Sequence, residues 1–362
     1  MKKIIKYIYL FLLYACFITV FTFLYSFFSK QVFFSFLFSI PYIICFVILT
    51  IVSILLLKHV KKCRIIPFIL VLFITIYTVL IYFPFLHILP NIEENLVLNY
   101  FSNDISPKNR DGDWQGINLV AHGLGAINDI RMATSIEAFQ LNYQDGYRVF
   151  EVDFTTTSDG YLVCRHLWED PDMQTGIDEN HIPTLEVFKS TKVYDQYTPM
   201  SFSDLCLLLK EYPDAWIITD SKETNSEAIK KEFENMVKEA KEIGCEDVLN
   251  RFVLQFYDEE MYQTVTDIYP FKNSIYATYM YWHGDIVSFA KICDFCYKNN
   301  IDSISMWNYY YCDEIQDMAN RYGLDIYIHT INDISTGEKY LSMGAKGIYS
   351  DFIKPNELEN QK

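Results

Sequence analysis

Residues 146–166 read GYRVFEVDFTTTSDGYLVCRH. Two short β-rich runs, Val149–Asp153 and Tyr161–Arg165, flank the seven residues FTTTSDG at 154–160. A parallel crossover needs a dozen residues or more, so the second run must fold back on the first as an antiparallel hairpin. Further strands are expected at Asn118–Ala121, Ala215–Thr219, Phe252–Phe256, Ser274–Thr278, Ser303–Met306, Asp325–His329 and Gly347–Tyr349. Helical patterns fall between them at Ser135–Asp145, Ser201–Glu211, Asn225–Ile243, Glu259–Ile268, Asp285–Asn299, Cys312–Tyr322 and Ile334–Met343. With the hairpin strand set aside, eight strands remain, most followed by a helix. Eight βα units in about 250 residues is the size of an α/β TIM (β/α)8 barrel. On the residues alone, a doubly wound sheet is the alternative.

Upstream of the barrel region the chain changes character. Residues 1–90 hold eight Lys or Arg and no Asp or Glu, which leaves 22 basic and 46 acidic residues, a formal −24, in 91–362. Three apolar runs, at about 4–28, 32–57 and 65–89, are each long enough to cross a bilayer as a helix. A cleaved signal peptide fits the first run poorly, because it is too long and two more follow. The basic N-terminus and the KHVKKCR loop at 58–64 lie on the cytoplasmic side by the positive-inside bias, which delivers residues 91 onward to the outside. The expected organisation is a membrane domain over 1–90 with three transmembrane helices, a polar linker over 91–116 and a barrel over 117–362. The acidic barrel excludes a nucleic-acid partner, since phosphate backbones need a basic face. Nine cysteines are scattered without a framework, and Cys293 and Cys296, in a helical pattern, read as packed thiols.

In such a barrel, functional groups belong at the C-terminal ends of the strands. Strand INLVA runs into His122, and YLVCR into His166. Glu151 and Asp153, two apart in RVFEVDF, share one face of a strand. AWIIT ends at Asp220, with Lys222 two residues on. Charges inside an apolar strand are costly unless paired or metal-bound. Three carboxylates form a hard oxygen site for one divalent cation, Ca2+ or Mg2+. Two histidines suit acid–base work near neutrality. Lys222 could hold a phosphate oxygen. Asp220 could instead cap the helix that follows. Asp351 reads as structural. Arg131, Arg148 and Arg165 are candidates for phosphate contact, the first two fitting a solvated surface better.

These residues give the chain its family resemblance. AHGLG at 121–125, TSIEAF at 134–139, GYRVFEVDF at 146–154, TSDG at 157–160 and LVCRHLW at 162–168 follow one another in the order and spacing of a known pattern. TDSK at 219–222, IYIHTIND at 326–333 and GAKGIYSDF at 344–352 continue it. Over about 117–353 the chain resembles the glycerophosphodiester phosphodiesterase family, among the phospholipase-C-like phosphodiesterases, as a membrane-anchored branch of bacterial type. The resemblance implies a barrel of phosphodiesterase type with one divalent cation. It makes His122 and His166 the catalytic pair, Glu151, Asp153 and Asp220 the metal ligands, and Lys222 a substrate contact, with Arg165 a possible substitute for an arginine the pattern has elsewhere. That arginine is missing because Gly123 follows His122 directly; Ala133, Thr134, Leu167 and His329 also depart from the pattern.

The expected function is a membrane-tethered, metal-dependent hydrolase of glycerophosphodiesters, phospholipid headgroups or surface-polymer units, in the cell membrane with its catalytic domain outside. A catalytically retired barrel serving as a binding or sensory module, and a lyase releasing a cyclic phosphate, are the alternatives.

Overall fold

Alternation decides where each strand residue points, and the strands carry two different sets. In β2 (Val149–Thr156), Phe150, Val152 and Phe154 face the surrounding helices, while Val149, Glu151 and Asp153 face inward. The other strands are β1 (Leu119–Ala121), β3 (Leu162–Cys164), β4 (Trp216–Ser221), β5 (Phe252–Phe256), β6 (Asn273–Ala277), β7 (Ser303–Trp307), β8 (Asp325–His329) and β9 (Gly347–Ser350). The computed structural model describes residues 114–359, apart from 115, 171, 172, 175 and 179.

Eight strands close into a parallel ring in the order β1-β2-β4-β5-β6-β7-β8-β9, with β9 pairing back to β1. The ring has no free edge, and helices cover its outside, as a TIM barrel requires. Strand β3 stands outside the ring, antiparallel to the far end of β2, with Phe154 opposite Cys164 and Thr156 opposite Leu162. This pairing extends β2 three residues beyond the expected Asp153.

The helices are α1 (Ile136–Gln144), α2 (Leu185–Ser190), α3 (Phe202–Glu211), α4 (Ser226–Glu242), α5 (Glu259–Thr266), α6 (Ile286–Lys298), α7 (Asp313–Tyr322), α8 (Ile334–Ser342) and α9 (Pro355–Glu359). Side-chain caps start many of them: Ser135, Ser201 in a capping box with Asp204, Asn225, Asp258, Asp285 and Asp333. Each cap is worth about 1 kcal/mol. Asn225 accepts from the backbone of Glu227 and Ala228 at the start of α4, so Asp220 is not the cap. Helix α2 was not expected; it is short and buries only Phe188. Cys293 and Cys296 are both buried on α6.

Inside the ring, the N-terminal end is packed with Val120, Val149, Ile218, Val253 and Ile275, closed by Trp114 stacked on Tyr327 at 5.2 Å. Each such apolar side chain contributes about 1.5–3 kcal/mol by leaving water. One layer further along, the inward positions turn polar. The three expected transmembrane helices and nearly all of the expected linker lie outside the described residues. Among the described residues no helix is long and apolar enough to cross a membrane.

Candidate active site

Register brings the polar layer together. Asp153 on β2 lies opposite Asp220 on β4, and Glu151 is one inward position below Asp153. Glu151, Asp153 and Asp220 each offer a carboxylate oxygen, and the three oxygens lie within 4.8 Å of one another. All three residues are buried. Glu151 Oε2 accepts from the Gly123 backbone N–H at 2.7 Å, and Asp220 Oδ1 accepts from the Tyr257 hydroxyl. Glu151 Oε1 and Asp153 Oδ2 are buried without a hydrogen-bond partner.

An orphaned buried carboxylate oxygen is expensive, and two beside each other more so. Burial pushes the Glu151 carboxyl up to about 8, and the nearby Asp153 charge adds to the shift. Burial also raises Asp153, against the pull of Lys222. The cluster therefore lacks positive charge at its centre. Three hard oxygens at this spacing, two of them unsatisfied, fit a divalent cation.

Lys222 only partly answers that need. Its Nζ lies 2.6 Å from Asp153 Oδ1 and 2.6 Å from Asp220 Oδ2. Burial opposes its charge, but the two carboxylates outweigh this and raise its pKa further. The lysine expected to face phosphate thus sits in the carboxylate cluster.

His122 leaves the end of β1 and is fixed from behind. Its Nδ1 is 2.7 Å from Asp351 Oδ1, and Asp351 Oδ2 accepts from Asn332 Nδ2 at 2.7 Å. With Nδ1 bound to Asp351, Nε2 is the nitrogen left for other partners. Burial alone would lower this imidazole's pKa; the Asp351 hydrogen bond and the Glu151 charge outweigh it and carry the group to about 9. Asp351, read from sequence as structural, is therefore the partner of His122. The pairing spans 229 positions and needs β9 beside β1, which no local pattern announces.

Gly123 fits here for a steric reason. Its φ is +52°, and a Cβ would stand 2.8 Å from Met132 Cγ. Met132 fills the space a side chain would need, while the backbone N–H of Gly123 reaches Glu151.

His166 follows β3 and is half-buried, with Nδ1 3.2 Å from Asp170 Oδ2. Asp153 is linked electrostatically to both imidazoles: its charge helps raise His122, and His166 helps lower Asp153. The five residues expected from sequence thus converge on the C-terminal mouth of the ring.

Arg165 does not join them. It is fully buried, and its guanidinium donates to the Leu167 carbonyl at 2.9 Å, Gln174 Oε1 at 3.0 Å and the Asp170 carbonyl at 2.8 Å. Its donors hold the loop beside His166 in place of a phosphate. Arg165 and His166 both lie past the end of β3, in the loop whose carbonyls the guanidinium holds.

Comparison with known proteins agrees with this geometry. The profile of the glycerophosphoryl diester phosphodiesterase family matches residues 128–354, more than half of the chain; His122 lies just before the match. An Oleispira antarctica phosphodiesterase, solved in complex with the product sn-glycerol-3-phosphate, shares the fold at TM-score 0.56 and 15% identity, covering 67% of this chain and 96% of that one. A glycerophosphodiester phosphodiesterase from Parabacteroides distasonis aligns at TM-score 0.53 and 16% identity, covering 67% and 95%. No curated protein matches by sequence. The ring of eight parallel strands, the acidic cluster in its mouth and the profile match together make this chain a member of the glycerophosphoryl diester phosphodiesterase family, and so a phosphoric diester hydrolase.

Proposed function

We propose that the protein is a membrane-tethered, divalent-metal-dependent phosphodiesterase that cleaves glycerophosphodiesters outside the cell. The observation that carries the chemistry is the carboxylate trio with two orphaned oxygens, next to an imidazole held by Asp351. Glu151, Asp153 and Asp220 would hold Ca2+ or Mg2+, which supplies positive charge to the phosphoryl oxygens when bound. Lys222 lies close enough to this cluster to share the neutralisation of a bound diester.

His122 and His166 divide the proton transfers. One imidazole takes the proton of the attacking hydroxyl as its oxygen bonds to phosphorus. The other gives a proton to the departing alcohol oxygen as the old P–O bond breaks. A glycerol hydroxyl next to the phosphate is the well-placed nucleophile, and it gives a cyclic phosphate that water opens by the same exchange of roles. Asp351 fixes the His122 ring throughout.

The tethering rests on the three apolar runs and the basic, acid-free composition of residues 1–90. Protease protection of the C-terminal region in intact cells would overturn the outward orientation.

The chemical test uses the full-length protein in detergent with a panel of glycerophosphodiesters and Ca2+, Mg2+ or chelator. Turnover should need the cation and fall by about 10²- to 10⁴-fold in His122→Ala. Chelator-resistant turnover would refute the cation's role. Absence of turnover on every diester would favour a binding module, and a cyclic product that is never opened would favour the lyase.

A further inference from the structure

The mouth carries a line of aromatic rings that the proton transfers above do not use. His329, at the end of β8, meets the His122 ring edge-on, with centroids 4.6 Å apart. Trp307, at the end of β7, stands perpendicular to His329 at 5.0 Å. Tyr309 then lies almost parallel to Trp307, at 11° and 6.2 Å. Tyr279 backs Trp307 and His329 at 5.1 and 4.8 Å. The line starts at a proposed proton-transfer group and runs outward to a ring that is 67% exposed.

An exposed Tyr309 beside a half-buried Trp307, this close to a reaction centre, calls for an occupant. The wall carries no charge, since burial keeps the His329 imidazole neutral, with the His122 and Lys222 charges adding to the effect. Its outer members, Trp307 and Tyr309, are nearly parallel, and Tyr310 leans against Tyr309 at 56° and 4.5 Å. A quaternary ammonium calls for aromatic faces set around it as a cage. Trp307 and Tyr309 offer instead nearly parallel ring faces with a phenolic hydroxyl on one member, which suit the C–H face and hydroxyls of a saturated six-membered ring. The formal −24 of residues 91–362 also disfavours an extra anionic group on the ligand.

On the reading of the preceding subsection, whatever rests there is attached to the phosphate beside His122. We infer that Trp307 and Tyr309 form a platform for a neutral polyhydroxylated ring, glycosyl or cyclitol, carried by one alcohol of the diester. The platform sets a preference for ring-bearing glycerophosphodiesters over those with small linear headgroups.

Tyr309→Ala is the variant to use, because its exposed side chain makes folding damage small. Full-length protein with Ca2+ or Mg2+ is given glycosyl phosphoglycerol, glycerophosphoinositol, glycerophosphoethanolamine and glycerophosphocholine. The parent should favour the two ring-bearing diesters. In Tyr309→Ala their KM should rise about three- to tenfold with kcat kept, as expected for loss of one aromatic stack. The ethanolamine diester should change by less than about twofold, as for an ordinary surface substitution. An equal change on all four diesters, or none, overturns the platform while leaving the hydrolase standing. A choline preference lost in the variant replaces the ring with a quaternary ammonium and overturns it too. If no diester is hydrolysed, the functional reading fails, and tryptophan fluorescence titration with glycosyl phosphoglycerol decides the platform separately: titrations equal in parent and variant overturn it.

Discussion

At its N-terminal end the barrel is filled with hydrocarbon and aromatic rings, from Val120 and Ile218 to the Trp114–Tyr327 stack. Two to four residues further along β2 and β4, the inward positions are Glu151, Asp153 and Asp220. The backbone geometry of the two layers is the same, so the strands themselves do not distinguish them. The lower layer gains free energy by leaving water. The upper one loses it, by burying carboxylates of which two oxygens have no partner. One end of the ring holds the fold together and the other spends part of that stability on a charged site.

This contrast can be broken most decisively at the mouth. Glu151→Gln should reduce diester turnover by about 10²- to 10⁴-fold, the range set by loss of a group acting in the chemistry. It removes a carboxyl that repels its neighbours once ionised, so thermal melting of the cation-free protein above pH 8 should be unchanged or higher. A melting point lowered along with activity would mean the two layers are not separable. Trp114→Ala makes the opposite test. It should cost about 3–5 kcal/mol in denaturant unfolding, while kcat per folded molecule stays at the parent value. A matching loss of kcat would tie the lower plug to the site.

Glu232 sharpens the comparison, because it is a buried carboxyl outside the ring, on α4. Burial pushes its pKa from 4.5 up to about 8. Protonation in the fold therefore exceeds that in the unfolded chain between these values. The stability it allows is complete below pH 4.5 and is lost as pH rises toward 8, by about 1.4 kcal/mol per unit. Glu232→Gln should flatten that slope and stabilise the protein at pH 8, as read by urea midpoints across the window. An unchanged slope would place the carboxyl in contact with water. The smallest effect belongs to Asp351→Asn, which leaves His122 present but poorly oriented. Expected is a loss of about 10- to 100-fold in kcat with KM kept, as for partners that orient a catalytic ring. A loss in KM alone would make Asp351 a substrate contact.

Much of this layout was legible in the amino-acid order. Each of the nine described strands falls where a short β-rich run stood, and the seven-residue FTTTSDG link sufficed to put β3 outside the parallel ring. Glu151, Asp153 and Asp220 stood out because charges in apolar strands are rare, and strand-end position marked His122 and His166. What the order hides are contacts decided by the closure of the ring. Asp351 meets His122 only because the last strand lies beside the first. Arg165 appeared free for phosphate, but its partners are carbonyls and an amide in a loop whose path has no periodic signature. Helix α2 was missed because its six residues bury a single side chain.

Strand β3 has one neighbour where every strand of the ring has at least two. The His166 segment is therefore mounted on an outrigger, while His122 is built into the hull. Lengthening or shortening the 157–160 turn would move one imidazole relative to the other without opening the eight-strand closure. The hairpin is thus the natural place for protein engineering to retune the gap between the two imidazoles, and with it the size of the phosphate ester that the proposed reaction would accept between them.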